Sequence, residues 1–524
     1  MSPPARSRRR LVPTALLCVT ALISNAQVVN LHAPIVATQQ GRVAGAVDAD
    51  GVSRFLGIPF AAPPVGAMRW RAPQPPASWK GVRAGDRFGA SCMQDEAGSR
   101  LPWTVEFMTQ GAISEDCLYV NVWTTDPSPH ARRAVMVWIY GGGFGEGSSA
   151  ISLYDGAQLA RQGVVLVSFN YRVGPFGFLA HPALSAESAE FHSGNYGLLD
   201  QIAALQWVKR NIAGFGGDPA RVTIFGQSAG AMSVKLLMES PLASGLFARA
   251  IAQSGPGWLG REFYAQQALG VVERGGARLG QVLGATSAAA LRALPAAELL
   301  GPRAVVDGQA LRYAPTLDGN VVRAEALRNQ VPLLFGIVSG DALPIAGFGP
   351  PRIDTLADWQ AEAGKRYGER AGEYFRLYPA ATDAEVSATR NAALIDCARV
   401  TLARYAKAQR AASGTVYAYY FDHAIPWPQH PEFGAFHSSE IPYVFRNLSR
   451  LDRPWTTTDR HLSDVLSAYW VQFAKTGNPN DTGLPTWPEF SSGEKLMHLG
   501  DSIDPIDPAD PTRRAFCEQT THQN

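Results

Sequence analysis

Apolar positions along this 524-residue chain fall into two alternating patterns. Residues 135–140 and 164–169 are near-continuous apolar runs of strand length, as expected of strands covered on both faces. Residues 250–253 and 333–338 repeat that pattern. Leu198, Ile202, Leu205, Val208 and Ile212 recur instead at helical spacing, bracketed by Gly194-Asn195 and Gly216-Gly217, and predict a helix. Residues 263–294, rich in alanine and leucine and closed by Pro295, predict another. The alternation runs from about residue 34 to residue 490 and predicts an α/β protein with a large, mostly parallel central sheet and helices on both faces. No period of 20–50 residues interrupts it. The last residues, 518–524, are polar and are expected to form a frayed tail.

One junction in that alternation carries chemistry. Val222-Thr223-Ile224-Phe225 reads as a short buried strand, residues 229–239 have the composition of a helix, and Gly226-Gln227-Ser228-Ala229-Gly230 lies between them. Strand, Gly-x-Ser-x-Gly, helix presents a serine hydroxyl on a strained turn, because the glycines leave room for a tight reversal. The helix starts at the serine, so its unpaired N–H groups face any negative charge that develops there. Acyl transfer further needs oxyanion donors, a base and a group that orients the base. Tyr140-Gly141-Gly142-Gly143-Phe144 directly follows the 135–140 strand, and consecutive glycines let backbone N–H groups approach a substrate carbonyl. Among ten histidines, His437 stands out because it lies in an apolar loop, residues 433–443, well after the serine. The chain order required is nucleophile, acid, histidine.

Composition narrows the setting. Hydrophobic residues are 46% of the chain and charged residues 18%, values of a protein able to bury a large core. The net charge of +2 is misleading, because Arg6, Arg8, Arg9 and Arg10 stand in the first ten residues. An apolar run, residues 11–23, and then Ser24-Asn25-Ala26 follow them. Positive start, apolar middle too short to span a bilayer and small-residue exit are the parts of a secretory signal peptide. Residues 1–26 are therefore read as a leader and residues 27–517 as the body of a secreted or periplasmic protein. Loss of the leader removes four arginines and no acid, taking the net charge from +2 to −2. Such a chain has no charge-based reason to bind nucleic acid, and no integral membrane segment is expected in it. Cys18 leaves with the leader, and Cys92, Cys117, Cys397 and Cys517 remain. An even number in an exported chain favours disulfides, and four cysteines permit three connectivities. No cysteine or histidine cluster has zinc spacing, so no metal site is expected.

Over almost all of residues 27–517 the sequence resembles the type-B carboxylesterase and lipase family, which includes the cholinesterases. The resemblance rests on Phe55-Leu56-Gly57-Ile58-Pro59-Phe60-Ala61, Pro64-Val65-Gly66-Ala67-Met68-Arg69-Trp70 and Ser114-Glu115-Asp116-Cys117-Leu118-Tyr119-Val120-Asn121-Val122. It continues through Asn170-Tyr171-Arg172-Val173-Gly174, Gly194-Asn195-Tyr196-Gly197, Phe215-Gly216-Gly217-Asp218-Pro219 and Phe473-Ala474-Lys475-Thr476-Gly477-Asn478-Pro479. It implies the α/β-hydrolase fold, with Ser228 as nucleophile, His437 as general base, and the N–H groups of Gly142, Gly143 and Ala229 as oxyanion hole. The acid should lie in Gly336-Ile337-Val338-Ser339-Gly340-Asp341-Ala342, where Asp341 stands at a position the family usually fills with glutamate. Aspartate is one methylene shorter, so its loop must approach the histidine more closely. Ser254, in Gln253-Ser254-Gly255, matches a buried serine that supports the acid side of the triad, and Glu440 matches a carboxylate behind the histidine. Gln227 stands where cholinesterases carry a glutamate. Phe107, ten residues before Cys117, stands where they carry a tryptophan, and Trp103 is nearby but out of register. The resemblance also implies ion pairs Arg69–Glu115 and Arg172–Asp200, and disulfides Cys92–Cys117 and Cys397–Cys517.

The expected function is that of a secreted serine carboxylic ester hydrolase. It would act through a Ser-His-Asp triad and an acyl-enzyme on small neutral esters, with no metal or organic cofactor. An interfacial lipase is the alternative, with the 92–117 loop as lid and Leu101, Trp103, Phe107 and Met108 as its apolar surface. A non-catalytic cholinesterase-like binding protein would have lost the serine, the histidine or the glycine loop, and all three are present. Asn447-Leu448-Ser449 and Asn480-Asp481-Thr482 have the spacing of glycosylation sequons.

Overall fold

The computed structural model describes residues 1, 33–95, 98–255, 268–301, 305–306, 309–323, 329–342, 352–491 and 493–520. The expected leader, from residue 2 onward, lies outside them, as does Cys18. Eleven strands form one sheet: β1 (Ala46–Val47), β2 (Ser53–Pro59), β3 (Tyr119–Thr124), β4 (Arg133–Ile139), β5 (Val165–Phe169), β6 (Gly217–Gln227), β7 (Arg249–Gln253), β8 (Leu333–Val338), β9 (Val416–Phe421), β10 (Leu496–Leu499) and β11 (Ile503–Ile506). Their spatial order is β11-β10-β9-β8-β7-β6-β4-β5-β3-β2-β1. From β10 to β5 every neighbouring pair is parallel. Beyond that block, β3, β2 and β1 on one side and β11 on the other pair antiparallel.

The apolar runs explain which strands are central. Every residue of β5, β8 and β9 is buried, as is all of β4 after Arg133. Trp138 on β4 sits at the centre, with Phe225 of β6 at 4.9 Å, Phe445 at 5.0 Å and Tyr154 at 5.1 Å between ring centroids. The edge strand β11 is partly exposed and contains Pro505, which donates nothing to a further strand. Among the described residues no helix is long and apolar enough to cross a membrane.

The main helices are α1 (Tyr196–Asn211), α2 (Ala229–Glu239), α3 (Leu269–Val282), α4 (Ala288–Ala293), α5 (Asp383–Ser413), α6 (Thr457–Thr476) and α7 (Pro511–Thr520). Helix α1 lies where the periodicity places one. The helix expected over residues 263–294 is two helices in its described part. Gly284, at φ 67°, ends the first, and the Ser287 hydroxyl caps the second by accepting from Ala290 N at 3.1 Å. The polar tail begins later than expected. Helix α7 continues through Glu518 to Thr520, with Glu518 accepting from Arg514 one turn earlier at 2.9 Å. Residues 521–524 lie outside the described residues.

The ion pairs are both bidentate. Arg69 Nε and Nη2 reach the two Glu115 oxygens at 2.6 Å each, and Arg172 Nε and Nη2 reach Asp200 at 2.7 Å each. Neither sequon asparagine is free. Buried Asn447 donates through Nδ2 to the carbonyls of Leu153 and Asp155, both at 2.9 Å, and Asn480 donates to Trp487 O at 2.9 Å. Cys92 is joined to Cys117 with Cα atoms 4.9 Å apart, and Cys397 on α5 to Cys517 on α7 at 5.0 Å. An unreduced digest of the protein should therefore yield those two linked peptides under mass spectrometry, and a peptide joining Cys92 to Cys397 or Cys517 would overturn the pairing. By restricting the unfolded chain, each crosslink should contribute about 2–4 kcal/mol to stability.

The topology also chooses where a ligand sits. Strand β4 lies between β5 and β6, so the connection leaving β4 goes one way and that leaving β6 goes the other. A crevice opens outside the carboxyl ends of parallel strands at such a switch point. The Gly141–Gly143 run follows β4, and Ser228 follows β6.

Candidate active site

The turn after β6 holds Ser228 at φ 57° and ψ −123°, a conformation that costs a non-glycine residue on the order of 1–3 kcal/mol. Two features hold it there. Ser228 N donates to Gln253 O at the end of β7 at 2.9 Å. Helix α2 also begins hard against the end of β4, where a Cβ on Gly230 would overlap the Ile139 carbonyl. Gly230 is thus required by close packing of helix on strand, and the turn between them is what ejects the serine.

The glycine loop lies beside it: a Cβ on Gly141 would stand 3.0 Å from Ser228 Cβ. Gly142 and Gly143 take φ 105° and 61°, and the Gly142 carbonyl closes the turn by accepting from Gly145 N at 3.0 Å. Among the described residues, the N–H groups of Gly142, Gly143 and Ala229 have no hydrogen-bond partner. Those three donors remain available at the switch point next to the serine.

Asp341 and His437 meet from two other loops. Asp341 lies in the turn that ends β8, where its Oδ2 accepts from Val338 N at 3.0 Å. Its Oδ1 lies 2.5 Å from His437 Nδ1. The closer approach that a short aspartate demands is made by Gly340, whose N–H donates to Ala435 O at 2.8 Å and whose missing side chain leaves room for the Ala435-Phe436 backbone. Burial alone would lower the His437 pKa. The charge and hydrogen bond of Asp341, with Glu440 behind, outweigh it and leave the imidazole raised above its ordinary value. The outer nitrogen, Nε2, lies 3.1 Å from Gln227 Nε2. Among the described residues no hydrogen bond joins it to Ser228 Oγ, and looser contacts of this kind are common before substrate arrives.

Glu440 is fully buried, and burial, with the nearby Asp341 charge, raises its carboxyl to about 7. Its Oε1 accepts from Gln253 Nε2 at 3.2 Å, and Gln253 Oε1 in turn accepts from Trp470 Nε1 at 3.1 Å. Gln253 therefore sets the position of Glu440, a role its place in the sequence did not signal. Ser254 does not reach the acid. It is buried at φ 54°, but its hydroxyl has no partner among the described residues. Both Asp341 oxygens are already engaged, by His437 and by Val338 N.

The 92–117 loop differs from expectation in one respect. Trp103, out of register by counting, lies edge-on to the His437 ring at 6.4 Å and donates from Nε1 to His437 O at 3.1 Å. Phe107 packs instead on Phe436, with centroids 5.6 Å apart. Trp103 is also covered by a cation of the protein itself: Arg100 Cζ lies 5.7 Å over its ring, and Arg100 pairs with Glu146 of the glycine loop. Trp103, Phe107 and Met108 are buried, and Leu101 is exposed.

A strained serine beside three free N–H donors, with an imidazole and a carboxylate 2.5 Å apart next to it, is suited to acyl transfer. Comparison with known proteins agrees. The family model described as Carboxylesterase family matches residues 32–513. The chain is 40% identical over 501 residues to the fumonisin B1 esterase of Sphingopyxis macrogoltabida, covering 89% of this chain and 86% of that protein. It is 37% identical over 489 residues to the para-nitrobenzyl esterase of Bacillus subtilis (strain 168), covering 89% and 95%. It is 34% identical over 535 residues to the human (Homo sapiens) cocaine esterase, covering 94% and 92%.

Proposed function

The chain belongs to the carboxylesterase family and is an ester hydrolase of the α/β-hydrolase fold, and from that premise we propose that it acts, after export, as a serine esterase on uncharged carboxylic esters. The observation that carries the mechanism is the His437 ring held by Asp341 at 2.5 Å beside the strained turn of Ser228. His437 Nε2 takes the proton of Ser228 as its oxygen attacks the ester carbonyl, while Asp341 keeps Nδ1 protonated and stabilises the imidazolium. The N–H groups of Gly142, Gly143 and Ala229 receive the oxyanion. His437 gives the proton to the departing alcohol, and water then attacks the acyl-enzyme by the same steps. Export is supported by the two disulfides and by the signal-like composition of residues 1–26.

The relatives are named for a fumonisin B1, a para-nitrobenzyl and a cocaine ester, so their names do not single out one substrate. Charge does narrow the class. Position 227 is a neutral amide, and the aromatic face nearest His437 already carries the Arg100 guanidinium. A quaternary ammonium would find neither an anion at position 227 nor an open Trp103 face. One missing charge near a partly desolvated site is worth about 1–2 kcal/mol. An uncharged butyryl thioester should therefore exceed butyrylthiocholine in kcat/KM by roughly tenfold. A clear advantage for the choline ester would place a cation site elsewhere in the crevice and sink the neutral-ester reading. Activity on a short triglyceride that jumps above its solubility limit would favour the interfacial lipase instead.

A further inference from the structure

The site contains one contact that the triad chemistry does not use: the amide of Gln227 against the outer nitrogen of His437, Nε2 to Nε2 at 3.1 Å. The hydrogen-bond pattern assigns the roles. Asp341 at 2.5 Å is an acceptor, so His437 Nδ1 carries the proton, and Nε2 of the neutral ring is left with its lone pair. A nitrogen lone pair can only accept, so the Gln227 NH2 group donates to it. Gln227 is itself buried and fixed at the last residue of β6, immediately before the strained serine turn, so this donor is not free to leave.

Two carboxylates already act on the imidazole, Asp341 through the ring's inner nitrogen and Glu440 from behind. Beyond Trp103, which lies edge-on to the ring, Arg100 and Glu146 are paired with each other. A donor aimed at Nε2 stabilises the neutral ring and has nothing to offer the imidazolium, whose Nε2 proton would face it. A carboxylate in the same place would do the reverse, as an added negative charge stabilising the cation.

We propose that Gln227 is a positioning residue that extends the working range of the site toward acid, by donating to His437 Nε2 and holding the base in its neutral form. This rests on the reading of His437 as the general base. Ser228 then competes with Gln227 for the same lone pair, and substrate binding shifts that competition toward the serine.

The sign of the expected effect follows directly. Neutral His437 is the active form, so kcat/KM is full above the His437 pKa and falls as pH drops through it. Gln227→Glu should move the midpoint of the acid limb of kcat/KM for an uncharged ester upward by about one pH unit. Gln227→Ala, which only removes the donor, should move it the same way by a few tenths. The His437 imidazole, followed by NMR with labelled histidine, should titrate at the same shifted midpoints. Gln227→Glu leaving the midpoint in place or moving it down overturns the proposal. So does a loss of plateau activity in both variants at an unchanged midpoint, which would mark Gln227 as a packing residue only. Gln227→Met, which keeps the side-chain volume and removes the donor, serves if the glutamate variant does not fold, and is held to the outcome given for alanine. Failure of the underlying reading looks different: His437→Ala would then retain turnover, whatever the profiles of the position-227 variants.

Discussion

Ser228→Ala and His437→Ala should each lower kcat by roughly 10⁴–10⁶, the range expected when either half of a serine–histidine pair is removed. The serine loss would remove the proposed nucleophile, on a turn held by Gln253 O and by the packing of α2 on β4. The histidine loss would leave that hydroxyl without its proposed base. The two act as a unit, so the double variant should be scarcely slower than either single one. Residual turnover above water would come from the Gly142, Gly143 and Ala229 donors and from substrate binding. The folded state should survive both changes. Ser228→Ala removes only a half-buried hydroxyl, and alanine inherits the same strained backbone. Circular dichroism and the thermal midpoint check that, and steady-state turnover of a p-nitrophenyl ester checks the rate. Retention of more than about 1% of wild-type kcat in either variant would mean that the acyl-transfer route runs through other residues.

What the sequence disclosed and what it hid divide along a physical line. Strands β4, β5, β7 and β8 were legible because their cores are covered on both faces and are near-continuous apolar runs. The elbow was legible because its glycines answer to a local steric need, visible as a fixed spacing from strand to helix. Strand β6 was read short: it begins at Gly217, and the irregular register between Gly217 and Val222 spans Pro219, which has no N–H for the ladder. The edge strands β1 and β11 were not read at all, since short, half-exposed strands carry little apolar signal. The long α5 was also missed, although Thr382 and Glu385 form a capping box at its start.

Within the site, contacts between residues hundreds of positions apart left no local trace. Trp103 is bonded to the backbone of His437, yet counting back from Cys117 passes over it, because that count assumes a loop of fixed conformation. Gln253 holds Glu440 across 187 positions, and nothing in the Gln253-Ser254-Gly255 string announces it. The substitution of aspartate for glutamate in the acid loop was visible, and so was its geometric consequence. The means by which the loop closes the gap, Gly340 lying against the Ala435-Phe436 backbone, was not.

That acid supplies the second large effect. Asp341→Asn should lower kcat by at least about a hundredfold, and the surrounding bonds say why. In the native protein one carboxylate oxygen faces His437 Nδ1 and the other accepts from Val338 N at 3.0 Å. An asparagine has a single oxygen to offer. If the oxygen faces His437, its NH2 group is driven against the Val338 N–H, donor against donor, in a buried place where an unmade bond costs about 1–3 kcal/mol. The amide therefore turns its oxygen to Val338 and its NH2 to the imidazole. Nδ1 must then accept, the ring's proton moves to Nε2, and the nitrogen that should take the serine proton is already occupied. The loss is one of tautomer as well as charge, and it should fall on kcat with KM little changed. Asp341→Glu should recover less than wild-type activity, since the extra methylene has to fit a loop that Gly340 has brought hard against the histidine loop. Near-native turnover in Asp341→Asn would mean that another carboxylate orients His437. Glu440 is the candidate, and Asp341→Asn combined with Glu440→Gln would then abolish what the single variant retained.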